Sequence, residues 1–182
     1  ELRGKTLGVV GLGRIGREVI KRAQGFEMNI LGYDPYVNQA MFNPEKVKVV
    51  DLDELTTQSD FVSVHVPLTD HTRDLFDAER LAAMKPTARI INVARGGIIN
   101  ETDLADALNN GVIAGAALDV FVEEPPKDKD FLSLPNLMVT PHIGGNALEG
   151  VEAMGRAAIQ HLVSFFENSP HVALLSMVLD LS

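Results

Sequence analysis

The sequence predicts a doubly wound α/β fold built on a parallel sheet. Three observations carry this expectation. Short apolar runs rich in Val, Ile and Leu alternate with amphipathic helical patterns along most of the 182 residues. The runs are apolar almost throughout, as parallel strands are when a sheet is covered on both faces. A glycine-rich turn, Gly11-Leu12-Gly13-Arg14-Ile15-Gly16, joins the first run to the first helical pattern.

In order, residues 6–10 read as a strand, 14–26 as a helix, 29–33 as a strand and the following stretch to Lys46 as a loop. A short strand at 47–50, a short helix at 52–58, a strand at 61–64 and a helix near 77–84 come next. The alternation continues with a strand at 88–93, a helix at 101–109 and a strand at 114–118. Residues 123–130 form a Pro/Lys/Asp loop, and 137–140 read as the last strand. A long helix over 147–168 carries an apolar stripe of Leu148, Val151, Ala158, Ile159, Leu162, Phe165 and Phe166. Asn146 and Glu149 suit a capping box at its start, and Asn168-Ser169-Pro170 ends it. One domain is therefore expected over residues 1–170, followed by a short apolar stub at 171–182.

Composition narrows the class. With 46% hydrophobic and 23% charged residues the chain reads as a soluble globular domain, and no apolar run reaches the ~20 residues needed to cross a bilayer. The N-terminus, Glu-Leu-Arg-Gly-Lys, lacks the hydrophobic core of a signal peptide, so a cytoplasmic protein is expected. The opening on Glu1 rather than methionine reads as the start of a piece of a longer protein. The absence of cysteine excludes disulfides, thiolate metal sites and cysteine nucleophiles, and the five histidines show no HxxxH or HExxH spacing. A net charge of −9 argues against nucleic acid as a partner, although the first 22 residues hold six Lys/Arg against two Glu.

Each glycine of the turn has its own reason to be there. Gly11 permits the tight turn, Gly13 lets a pyrophosphate approach the backbone, and Gly16 lets helix and strand pack closely, the pattern of a Rossmann-type dinucleotide site. The helix that starts here offers unpaired N–H groups and a positive dipole end. The second strand ends in Tyr33-Asp34, where an acid is placed to bind both hydroxyls of a ribose. Asp34-Pro35-Tyr36-Val37-Asn38 supplies no positive charge for a 2′-phosphate, so NAD is favoured over NADP. Arg14 reads either as a phosphate ligand or as a solvated residue at the helix start.

Three later segments put polar residues just after apolar strands, at the carboxyl edge where such a sheet binds ligands. They are Asn92-Val93-Ala94-Arg95-Gly96-Gly97, Ala117-Leu118-Asp119-Val120-Phe121-Val122-Glu123-Glu124-Pro125-Pro126, and Thr140-Pro141-His142-Ile143-Gly144-Gly145. A guanidinium, one or more carboxylates and an imidazole on one edge suit carbonyl reduction. The guanidinium holds a substrate carboxylate and polarises a neighbouring carbonyl, and the imidazolium donates the proton that a new alkoxide needs. Taken singly, Arg95 reads equally as a surface ion-pair partner, His142 as a loop histidine and Glu124 as one charge of an acidic loop. Their coincidence on one edge is what gives them weight.

Together with Leu2-Arg3-Gly4-Lys5-Thr6-Leu7-Gly8 and His65-Val66-Pro67-Leu68-Thr69, these motifs resemble the D-2-hydroxyacid dehydrogenase family, from residue 1 to about residue 168. That group includes D-3-phosphoglycerate dehydrogenase and the glyoxylate/hydroxypyruvate reductases. The resemblance implies that Arg95 binds substrate carboxylate and carbonyl, that His142 is the acid/base, and that Glu124 pairs with it. Glu124 is chosen over Glu123 because the family's acid directly precedes the proline. It implies further that Asp119 binds the nicotinamide carboxamide, Asp34 the adenosine ribose, and Arg14 and Ile15 the pyrophosphate. Pro67 and Thr72 would line the cofactor cleft, the carbonyls of Val93 and Ala94 would meet the nicotinamide, and His142 and Gly144 complete the cofactor set. A homodimer and a small 2-hydroxyacid or 2-oxoacid substrate are implied as well.

Two departures from the family pattern stand out. Asn146-Ala147-Leu148 replaces the small hydroxyl residue and threonine usual after the two glycines. The substrate domain, which the family builds from segments on both sides of the cofactor domain, is largely absent from this chain. Catalysis by the chain alone is therefore expected to be weak, because water is not excluded from the cleft. The other reading is a non-catalytic NAD(H)-sensing module like the corepressors that resemble this family, while formate dehydrogenase is disfavoured by Thr140 where that branch has glutamine. The Glu123-Glu124-Pro125-Pro126 loop leans towards D-3-phosphoglycerate as substrate.

Overall fold

The computed structural model describes residues 1–166, in two units, Glu1–His142 and one that begins at Ile143. The predicted helix end at Asn168-Ser169-Pro170 and the apolar stub at 171–182 lie outside the described residues. In the first unit seven parallel strands alternate with helices: β1 (Thr6–Val10), α1 (Arg14–Gly25), β2 (Asn29–Tyr33), β3 (Lys48–Val49), α2 (Leu52–Gln58), β4 (Phe61–Val64), α3 (Ala78–Ala83), β5 (Arg89–Asn92), α4 (Glu101–Asn109), β6 (Gly115–Leu118), α5 (Lys129–Leu132) and β7 (Leu137–Val139). The sheet order is β3-β2-β1-β4-β5-β6-β7, the doubly wound arrangement.

Strand β1 shows why the fold is two-sided. Leu7 and Val9 point into a cluster with Ile20 and Ala23 of α1, Leu12, Ile30 and Val47. Val10 points into the other cluster, with Leu52 and Leu55 of α2, Leu81 of α3 and Leu104 and Leu108 of α4. Gly8 lies on that second side, where a Cβ would sit 2.6 Å from Leu55 Cδ2, so α2 packs directly on the strand. Phe76, fully buried, pairs with Ile99 and so fixes the start of α4; burial of a side chain of this size contributes roughly 1.5–3 kcal/mol. At β7, Met138 is 69% exposed. Helix α1 packs mainly on β1 and β2.

The expected bounds of β1, β2, α2, β4 and α4 match the structure, the other elements expected in the first unit differ by one residue at one or both ends, and side-chain caps set the starts of several helices. Asp77 Oδ1 accepts the Arg80 N–H and starts α3, and Asn100 Oδ1 accepts the Asp103 N–H and starts α4. Val47 falls outside β3 because its N–H donates to Asn43 O in a turn. Two elements were not expected: a 3-10 turn at Gln39–Met41, and α5, inside and beyond the stretch read as a loop. Helix α5 is one turn held by Asp128 Oδ1, which accepts from Asp130 N and Phe131 N, with Phe131 buried.

The second unit contains α6 (Leu148–Phe166). The Val151 N–H donates to Ala147 O, so Ala147 takes the N-cap position that the sequence suggested for Asn146; the Asn146 N–H instead closes a turn onto Ile143 O. Of the predicted stripe, Leu148, Val151, Ile159, Leu162 and Phe165 are exposed.

Candidate functional site

The chain leaves β1 towards β2 on one side and returns to β4 on the other, so the crevice between their carboxyl ends is the switch point where a doubly wound sheet takes its ligand. The turn after β1 lines it. Gly11 has φ +97°, and a Cβ there would meet the His65 carbonyl at 2.8 Å, so the loops after β1 and β4 touch. Gly16 faces the Gly11 carbonyl so closely that a Cβ would lie 2.0 Å from its oxygen. Gly13, the N-cap of α1, has nothing within 4 Å of an added Cβ, and the first turn of the helix holds no acidic residue and no side-chain cap. Open space in front of a helix N-terminus fits a pyrophosphate. Arg14 and Ile15 begin α1, with Ile15 67% exposed.

Asp34 stands at the end of β2. Its Oδ2 accepts the Leu12 N–H at 2.9 Å and its Oδ1 the Tyr36 N–H at 2.9 Å. A carboxylate offers about four acceptor directions, so two remain for a ribose diol.

A cleft of about 350 Å³ is walled by Ile15, His65, Val66, Pro67, Leu68, Val93, Ala94 and Arg95. Five of the predicted residues meet there. Thr72 does not form part of this wall: its hydroxyl donates to Pro67 O at 2.6 Å and accepts the Thr69 N–H at 2.8 Å, so it braces the loop that presents Pro67. His65 was not singled out from sequence. Its Nε2 lies 2.8 Å from Ser63 Oγ, and burial pushes its imidazole down, towards the neutral form.

Asn92, 2% exposed, shapes the turn after β5: its Oδ1 accepts the Ala94 N–H and its Nδ2 donates to Arg95 O. Arg95 projects from that turn into solvent, with Nη1 donating to Ala94 O at 2.6 Å. Gly96 follows because a Cβ there would lie 2.0 Å from the Phe121 carbonyl. The turn after β5 therefore rests directly on the segment after β6.

That segment starts at Asp119, 5% exposed, whose Oδ1 accepts the Thr140 hydroxyl. A second cleft, of about 330 Å³, is lined by Asp119, Phe121, Glu124, Pro125, Pro126, Pro141 and His142. In it Glu124 Oε2 meets His142 Nδ1 at 2.8 Å, while Glu124 Oε1 accepts the Phe121 N–H at 3.0 Å. The His142 hydrogen bond, then the Phe121 N–H, hold the Glu124 carboxyl below the usual glutamate range, against a smaller opposing effect of burial. An ionised carboxylate only accepts, so Nδ1 carries the hydrogen and Nε2 is the nitrogen left to exchange a proton. His142 holds φ +54°, an uncommon backbone for a non-glycine residue. Gly144 belongs to the second unit.

Residues 1–144 match the family model described as D-isomer specific 2-hydroxyacid dehydrogenase, NAD binding domain. Among curated proteins, a D-3-phosphoglycerate dehydrogenase of Methanocaldococcus jannaschii is 50% identical over 89% of this chain, and a glyoxylate reductase of Pyrococcus furiosus is 44% identical over 91%. The chain spans 31% and 49% of their lengths. Among solved structures, a D-lactate dehydrogenase from Aquifex aeolicus complexed with NAD and lactic acid matches 90% of this chain and 54% of its own, with a TM-score of 0.83 and 32% identity.

Proposed function

The chain belongs to the D-isomer specific 2-hydroxyacid dehydrogenase family, and on that premise we propose that it is the NAD-binding part of an enzyme that interconverts a D-2-hydroxyacid and its 2-oxoacid. The observation that carries the reading is the Glu124–His142 pair at 2.8 Å, on strand ends next to the turn that holds Arg95. NAD(H), when bound, supplies the hydride acceptor or donor. Arg95 has free N–H groups to grip the substrate carboxylate and polarise the carbonyl at C2. His142 gives a proton from Nε2 to the oxygen at C2 in reduction and takes it back in oxidation, with Glu124 holding the ring in the required tautomer.

Gly13, the start of α1 and Asp34 would hold the dinucleotide, and Asp34 would repel the 2′-phosphate of NADP. D-3-phosphoglycerate is the substrate of choice in this proposal. It is supported by the Glu123-Glu124-Pro125-Pro126 loop and by the relative at 50% identity that bears that enzyme's name.

The test is turnover of D-3-phosphoglycerate, glyoxylate and hydroxypyruvate by the full-length protein, with His142→Ala beside it. The expected result is a loss in kcat of about 10²- to 10⁴-fold with NADH affinity unchanged. NADH binding without turnover of any 2-oxoacid would instead support a nucleotide-sensing module.

A further inference from the structure

We infer that Glu101 is a positioning residue of the site, a latch that fixes the Phe121–Val122 backbone and through it the placement of Glu124 and His142 relative to Arg95. The inference rests on the dehydrogenase reading above, and it assigns a role to a residue on a different element from any of those three. Glu101 is the first residue of α4, and its Oε1 accepts the Val122 N–H at 2.7 Å, across 21 positions of sequence.

The next amide back, Phe121 N–H, is the one that holds Glu124 Oε1. The Phe121 carbonyl is the atom against which Gly96 packs, leaving no room for a Cβ. Two residues thus receive three constraints: the latch from α4, the turn bearing Arg95, and the carboxylate that orients His142. Glu101 is itself firmly placed. Asn100 caps α4 through the Asp103 N–H, and the Asn100 N–H donates to Phe76 O, on the fully buried Phe76. Burial pushes the Glu101 carboxyl up, and the Val122 N–H opposes that shift. Val122 is itself 66% exposed and its side chain packs little, so at Val122 the backbone bond to Glu101 adds to the anchoring that the buried Phe121 side chain supplies.

A latch of this kind acts on geometry and not on nucleotide affinity, and misplacement of a reacting group by about 1 Å costs up to roughly 10²-fold in rate. The experiment compares Glu101→Ala and Glu101→Gln in the full-length protein, because the glutamine Oε1 can still accept from Val122. Kinetics and hydrogen exchange at residues 121–124 are both read. Expected for Glu101→Ala is a fall in kcat of roughly 10- to 100-fold with unchanged KM for NADH. Amide exchange should quicken at 121–124 and stay unchanged in β1, and Glu101→Gln should restore both readouts. Wild-type kcat and exchange in Glu101→Ala overturn the inference, and so does exchange that rises equally in β1, which would make Glu101 a general stability residue. Absence of 2-oxoacid turnover by the wild type would count against the dehydrogenase reading alone, and the local exchange would still decide whether Glu101 holds the segment.

Discussion

Asp34 Oδ2 accepts the Leu12 N–H, so the acid at the end of β2 is fastened to the turn that follows β1. The same carboxylate thus shapes the phosphate loop and presents acceptors to a ribose. Asp34→Asn keeps one oxygen for the loop and loses the charge. The expected outcome is NADH binding weakened about 10-fold, as for loss of a charged hydrogen bond worth roughly 1.5 kcal/mol. The gap between NADH and NADPH should narrow, because the repulsion of a 2′-phosphate is gone. Calorimetric titration with both nucleotides checks this, and unchanged affinities for both would remove Asp34 from the cofactor site.

Gly13 and Gly16 are three residues apart and should respond oppositely to the same methyl group. At Gly16 a Cβ would press on the Gly11 carbonyl, which is backbone and cannot rotate away, so Gly16→Ala should destabilise the fold by about 1–3 kcal/mol. At Gly13 the space is open and only the N-cap preference for Gly over Ala is lost, so Gly13→Ala should cost about 0.5–1 kcal/mol, less than Gly16→Ala, while the methyl occupies the place of the pyrophosphate. Urea unfolding read beside NADH titration separates the two. Equal loss of stability in both variants would contradict the assignment of that space to a ligand.

The contrast between these glycines marks where sequence was legible. The GxGxxG turn, β1, β2, α2, β4 and α4 could be bounded from sequence because apolar period, caps and glycine spacing are local signals. Asp34, Arg95, Glu124 and His142 could be named because each directly follows a strand end or completes a motif. Gly96 and Glu101 meet backbone of the segment after β6, and Asn92 bonds the backbone of its own turn, contacts that no spacing in the sequence reveals. Thr72, expected at the cofactor cleft, also donates its hydroxyl to Pro67 O within its own loop, a tie that no sequence spacing reveals. Helix α5 was missed because four residues are too few to show a helical period.

Asp60 gives a pH-dependent prediction that is independent of the site. Its Oδ2 accepts the Thr6 N–H at 2.8 Å and its Oδ1 the Lys85 ammonium at 3.0 Å, joining the start of β1 to the chain after α3. The Thr6 bond first, and Lys85 after it, hold its carboxyl below the usual aspartate value against the opposing effect of burial. A lowered carboxyl contributes stability that is fully present above its unfolded value of about 3.9 and is lost as pH falls through the lower folded value. Asp60→Asn should therefore cost about 1–2 kcal/mol at pH 7, with the difference from wild type shrinking below about pH 4. Urea unfolding at pH 7 and at pH 3 reads this, and an equal difference at both would mean that the charge of Asp60 plays no part.

Glu124 offers the sharpest test of the proton path, because glutamine preserves its shape. In Glu124→Gln the amide oxygen can still accept the Phe121 N–H, but the group facing His142 Nδ1 becomes an N–H donor. The imidazole must then offer Nδ1 as an acceptor, which moves its hydrogen to Nε2 and leaves no lone pair there to take a proton from a hydroxyacid. A carboxylate-to-amide change that selects the wrong tautomer costs up to about 10⁴-fold in hydrolases of the Ser-His-Asp kind. Here oxidation of the 2-hydroxyacid should fall by at least about 10²-fold in kcat, with NADH binding and stability near wild type. Glu124→Ala should lose the Phe121 tie as well and show a larger rise in exchange at the segment. If Glu124→Gln keeps wild-type kcat, His142 does not exchange its proton through Nε2, and the pair seen at 2.8 Å is a structural contact of two loops.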